Sequence, residues 1–124
     1  MILQAGDKLL VVHRRLFLDD PPRFFVGSVD RYEAGIAVVH GHTWIRDILA
    51  GDYHRKADLR TKILSIISGG LLIYLLPEEV EIHHLTFTSK GASVLVSDGR
   101  EFFMDLTEYA IHPVRPESII GSAE

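Results

Sequence analysis

Apolar residues in this chain come in short runs, cut at intervals by glycine, proline and charge. Gly6-Asp7 reads as a turn, and KLLVVHRRLFL, residues 8 to 18, follows as a strand rich in Leu and Val. Asp19-Asp20-Pro21-Pro22 ends it, because proline cannot donate to a sheet ladder. RFFVGSVDRY, 23 to 32, is the second strand, and Gly27 in its middle marks a bend, a bulge or close packing. Glu33-Ala34-Gly35 turns the chain into a third strand, IAVVHGHTWI, 36 to 45. Residues 46 to 62 are polar and charged, and read as a polar excursion or a short helix followed by a loop. ILSIIS, 63 to 68, and GLLIYLL, 70 to 76, return to strand character, as two strands or one bent one.

After a corner at Pro77-Glu78-Glu79, VEIHHLTFTS, 80 to 89, alternates apolar and polar positions as a strand does. Lys90-Gly91 turns the chain again. ASVLVS, 92 to 97, and REFFMDL, 100 to 106, flank Asp98-Gly99, which predicts a hairpin closed by a two-residue type I′ turn. Short strands at this spacing, punctuated by Gly and Pro, imply an all-β fold. The expected architecture is a small SH3/Sm-like bent β-barrel with an additional C-terminal β-hairpin. Residues 1–112 form one domain in this reading, and 113–124 an extended tail.

Composition narrows the function. The chain has 124 residues, enough for one core and too few for two ordinary domains. A net charge of −4 gives little general attraction to phosphate backbones, so nucleic-acid contact needs a local basic patch. The absence of cysteine excludes disulfides, thiolate zinc sites and cysteine nucleophiles. The N-terminus lacks the pattern of a secretory signal, since Lys8 interrupts its apolar stretch. The most apolar segment, 63 to 77, is shorter than the ~20 residues of a membrane helix and is broken by Ser65, Ser68, Gly69 and Gly70. A cytoplasmic protein with no membrane contact is expected.

Arg23, Gly27, Val29, Tyr32 and Glu33 follow the spacing of the first signature of the Sm-like (LSm) family, which this segment resembles. IleSer-Gly-Gly-Leu-Leu-Ile-Tyr-Leu, 67 to 75, is similar to the second signature, where Gly leads into an apolar strand carrying Tyr. The resemblance spans residues 6 to 76. It implies a sharply bent barrel with Gly27 and Gly69 as structural glycines, and ring assembly through strand edges. Two residues of the family's nucleotide pocket are missing: Ala34-Gly35-Ile36 follows Glu33 with no Asn, and Ser68 stands where the family has Arg.

His40 and His42 are the sharpest candidates for chemistry. Residues two apart on a strand share a side, so both rings can reach one divalent metal. Gly35, His40, His42, Asp47 and Gly51 distantly resemble the first cupin motif, with altered spacing and no second motif. A third ligand would come from Asp47, His54, His83 or His84. The plainer reading makes His40 and His42 the polar face of a strand whose Val39 enters the core. His83 and His84, adjacent in a strand, would face opposite ways and cannot chelate together. Basic residues gather at Arg14, Arg15 and Arg23, and at Arg46, His54, Arg55, Lys56, Arg60 and Lys62. Tyr32, Arg55, Lys56 and Arg60 are the candidate nucleic-acid contacts, by stacking and phosphate pairing. Asp47, Asp52 and Asp58 offset much of that charge. Trp44, the single tryptophan, is an anchor for the core or a subunit interface. Glu78, Glu79, Glu81, Asp98, Asp105 and Glu108 read as turn and surface acids. No phosphate loop, dinucleotide fingerprint or nucleophile elbow is present.

The expected function is therefore a β-barrel binding or assembly module without cofactor or evident catalysis, self-associating through strand edges and open to a protein partner. An Sm-like RNA-binding ring and a cupin-like metal enzyme using His40 and His42 are the alternatives.

Overall fold

Strand β1, Lys8–His13, buries four consecutive side chains, Leu9 to Val12. Successive strand residues face opposite ways, so both faces of β1 must be covered. Leu9 and Val11 enter one core, while Leu10 and Val12 enter another. The rest of the architecture supplies those two covers. The computed structural model describes residues 2–13, 23–47, 51–90 and 93–106.

Six strands form the first sheet, in the order β4-β3-β2-β1-β6, with β5 also paired to β3. They are β1, β2 (Arg23–Glu33), β3 (Ile36–Arg46), β4 (Tyr53–Arg55), β5 (Arg60–Ser65) and β6 (Leu71–Leu76). All their pairings are antiparallel. Strand β3 serves two partners: Ile36 to Gly41 pair with β5, and Trp44 to Arg46 pair with β4. A strand that changes partner along its length has to bend, and the sheet curls into a small barrel. Its interior holds Leu3, Leu9, Val11, Phe25, Val29, Ala37, Val39 and Leu64.

Two glycines permit the curl. Gly27 on β2 faces Gly41 on β3. A Cβ on Gly41 would run into the Val26 carbonyl and lie 2.6 Å from the Gly27 Cα. A Cβ on Gly27 would meet the His40 carbonyl and lie 2.9 Å from the Gly41 Cα. Close packing is thus what Gly27 provides, and the bulge falls further on, between Val29 and Arg31. Gly69, in the β5–β6 connection, has open space where its Cβ would be.

The second sheet runs β7 (Thr86–Lys90), β8 (Ser93–Ser97), β9 (Phe103–Asp105), also antiparallel. The C-terminal hairpin of β8 and β9 thereby gains β7 as a third strand. It covers the outer face of the first sheet. Phe87 of β7 sits at the centre of that contact, stacked on Phe24 at 4.7 Å between ring centres and tilted against Trp44 at 4.9 Å. Leu85, Val96 and Leu106 join Leu10, Val12, Val26 and Tyr53 in this second core. Lys8 ties the connection down by donating through Nζ to the carbonyls of Glu78 at 2.7 Å and Val80 at 2.6 Å.

The structure corrects four local expectations. The 46–62 segment holds β4 and the start of β5, with no helix among its described residues. The predicted strand 80–89 begins instead with a 3-10 turn, Ile82–His84, because the chain must turn from β6 onto the second sheet. Both His83 and His84 are exposed there, so neither faces inward. The β8–β9 connection takes residues 98 to 102 rather than two: the Asp98 carboxylate accepts from the Arg100 and Phe102 amides at 2.8 and 3.1 Å. That carboxylate satisfies backbone donors and stabilises a longer loop. The sequence readings at Arg14 to Pro22, at Gly91 and over the tail 113–124 lie outside the described residues.

Candidate functional site

Strand alternation places His40 and His42 on the outer face of β3, while Val39 is fully buried in the barrel. The two rings have separate neighbours. His40 Nδ1 lies 2.7 Å from the Thr61 hydroxyl, and its Nε2 lies 3.8 Å from the Asp30 carboxylate, which the bulge brings alongside. Burial holds the His42 pKa below the usual histidine value, with Arg55 and His83 acting the same way and Asp58 opposing them. His54 and Asp47, two candidate third ligands, lie 3.3 Å from each other. Among the described residues no group of three His, Asp or Glu side chains converges as a metal cage.

Trp44 is 8% exposed and packs between the two sheets of its own chain. As an interface anchor it therefore joins sheet to sheet, and its surface is unavailable to a second subunit. Of the candidate nucleic-acid contacts, Arg55, Lys56 and Arg60 lie along one stretch of β3, Gly41 to Trp44, and Tyr32 stands apart from them. Tyr32 pairs with Ala37 and packs on the barrel core, whereas Arg55 pairs with Trp44. From Ala37 to Trp44 is seven residues of β3, roughly 20 Å of strand. Lys56 follows Arg55 directly, and Arg60 pairs with Gly41 and bonds Asp58 at 3.0 Å.

A different group of bases is brought together at one mouth of the barrel. Leu9 and Val11 point inward, and His13 is the next inward position on β1. Phe25 and Val29 point inward on β2, and Arg23 continues that face. Leu64 points inward on β5, and Lys62 precedes it on the same side. His13 and Arg23 are register partners. Lys62 Nζ lies 4.6 Å above the ring centre of Phe25, which is fully buried. The Thr43 position on β3 faces Phe25.

This mouth is electrostatically unusual. Burial lowers the Lys62 pKa, and Arg23 and Arg60 lower it further. Burial also lowers the His13 pKa, with Lys62 and Arg23 adding to the effect. The His13 Nε2 atom is buried without a hydrogen-bond partner. Sequence reading placed Arg23 and Lys62 in two separate basic clusters and passed over His13. Alternation along β1, β2 and β5 signals the inward positions, but only the β1–β2 register and the contact of Lys62 with Phe25 bring them together.

Over 92 aligned residues the chain is 30% identical to elongation factor P of Mycobacterium leprae, in strains Br4923 and TN. The match covers 69% of this chain and 47% of that protein, so the chain spans about half the length of the curated relatives it matches. No family model and no solved structure matches. No helix among the described residues is long and apolar enough to cross a membrane.

Proposed function

We propose that this chain is a non-catalytic β-barrel binding module that acts in translation elongation, in the cytoplasm. The observation that carries the reading is the similarity to elongation factor P over 69% of the chain. The cationic barrel mouth supports it, since a chain of net charge −4 needs a local basic patch to approach RNA. Elongation takes place on the ribosome, so sedimentation through a sucrose gradient with and without ribosomes is the direct test. The protein is expected to travel with ribosomes at low salt and to be released as salt rises, because phosphate contacts release counterions. Protein that stays at the top of the gradient at every salt concentration rules the reading out.

Self-association is a second reading, favoured by one observation. Ile63 is 72% exposed on β5 and, with Ile36 and Val38, lines an outer groove flanked by Arg31 and Glu33. Covering such side chains with a second copy removes apolar surface from water and protects strand edges. A native mass spectrum is expected to show a closed oligomer, and Ile63→Glu to shift it to monomer.

A further inference from the structure

We infer that the barrel mouth formed by His13, Arg23 and Lys62 is a binding site for a phosphate group. Inward positions of a small barrel normally carry apolar side chains that fill it. Here the inward faces of β1 and β2 end in His13 and Arg23, and Lys62 of β5 reaches over a floor made by Phe25. Among the described residues no carboxylate pairs with Arg23 or Lys62. Arg60 lies further along the same face of β5 and bonds Asp58 at 3.0 Å. Like charges gathered together repel, and partial burial strengthens the repulsion. A bound anion removes that cost. An arginine fork, an ammonium and an imidazole arriving from three strands suit a tetrahedral oxyanion better than a planar carboxylate. The buried Nε2 of His13, which has no partner, is a further donor for such a ligand once the ring is protonated.

The phosphate can come from free inorganic phosphate or from the phosphodiester of a nucleic acid. Isothermal titration of the full chain with inorganic phosphate, and separately with a single-stranded uridine oligonucleotide, distinguishes the two. Binding of inorganic phosphate identifies a free-ion site, and binding of the oligonucleotide alone identifies a phosphodiester site. Lys62→Met is expected to weaken whichever binding occurs about tenfold or more, as loss of a charge-assisted contact does. Its thermal midpoint is expected to be no lower than that of the parent, because a half-buried ammonium facing Arg23 and Arg60 has been removed. Arg23→Gln is the second variant, with the same loss of binding expected. Arg100→Gln, exposed in the β8–β9 loop of the second sheet, is expected to leave affinity unchanged. The inference is overturned if neither probe binds the parent chain, or if Arg100→Gln weakens binding as much as Lys62→Met. Ribosome association is read separately, so failure of the translational reading leaves this site standing, and the converse.

Discussion

Gly41 shows how much one missing methyl group decides. Its Cα approaches β2 so closely that alanine would press on backbone atoms of Val26 and Gly27, which cannot rotate away. Gly41→Ala is expected to cost about 3 kcal/mol, the upper part of the overpacking range, and to lower the urea midpoint without changing the slope. His13 sets a pH dependence at the same scale. Folding lowers its pKa below 6.5, so the unfolded chain binds more protons between the folded value and 6.5. The stability that depends on the neutral ring is fully present above pH 6.5 and is lost as the pH falls through the folded pKa. Urea midpoints are expected to fall on acidification below 6.5, and His13→Gln to make that fall shallower.

At the scale of elements, turns carry the specific demands. The β2–β3 hairpin has positive φ at both central residues, 51° at Ala34 and 83° at Gly35, the geometry of a type I′ turn. Alanine is strained there by its Cβ, so Ala34→Gly is expected to raise stability by about 1 kcal/mol, read as a higher thermal midpoint. The β8–β9 loop relies on a side chain instead. Asp98→Ala leaves the amides of Arg100 and Phe102 without their acceptor. A loss of about 1–2 kcal/mol is expected, and faster hydrogen exchange at those two amides would locate it. Strand β3 explains why the 46–62 segment misled: its polar residues supply the short strand β4 and the first residues of β5 to opposite ends of one long partner. Edge strands need few apolar residues, so hydropathy alone does not reveal them.

For the whole molecule, two cores share one sheet. The barrel core lies inside it and the Phe87-centred core lies outside it. Phe87→Ala removes the ring that Phe24, Trp44 and Tyr53 all pack against. It is expected to cost about 3–5 kcal/mol. Trp44 fluorescence, reporting from the same contact, is expected to shift toward that of a solvent-exposed indole as the second sheet loosens. Barrel and second sheet unfold together if this core couples them, so one cooperative transition is expected in the parent chain.

Local patterning by itself determined that the chain is all β, that β1, β2 and β3 lie about where they do, and that Gly27 and Gly35 mark special backbone. Runs of Leu, Val and Phe broken by Gly and Pro have few other solutions. The outward placement of His40 and His42 also followed from alternation along β3. Tertiary structure alone decided the rest. The continuous apolar run of β1 states that both faces are buried, but not that two different cores bury them. Gly41 faces Gly27 only through the β2–β3 register. Trp44 is spent inside the chain because β7 delivers Phe87 to it. The basic mouth exists because His13 meets Arg23 through the β1–β2 register and Lys62 of β5 reaches Phe25 across the curled sheet, which no local pattern encodes.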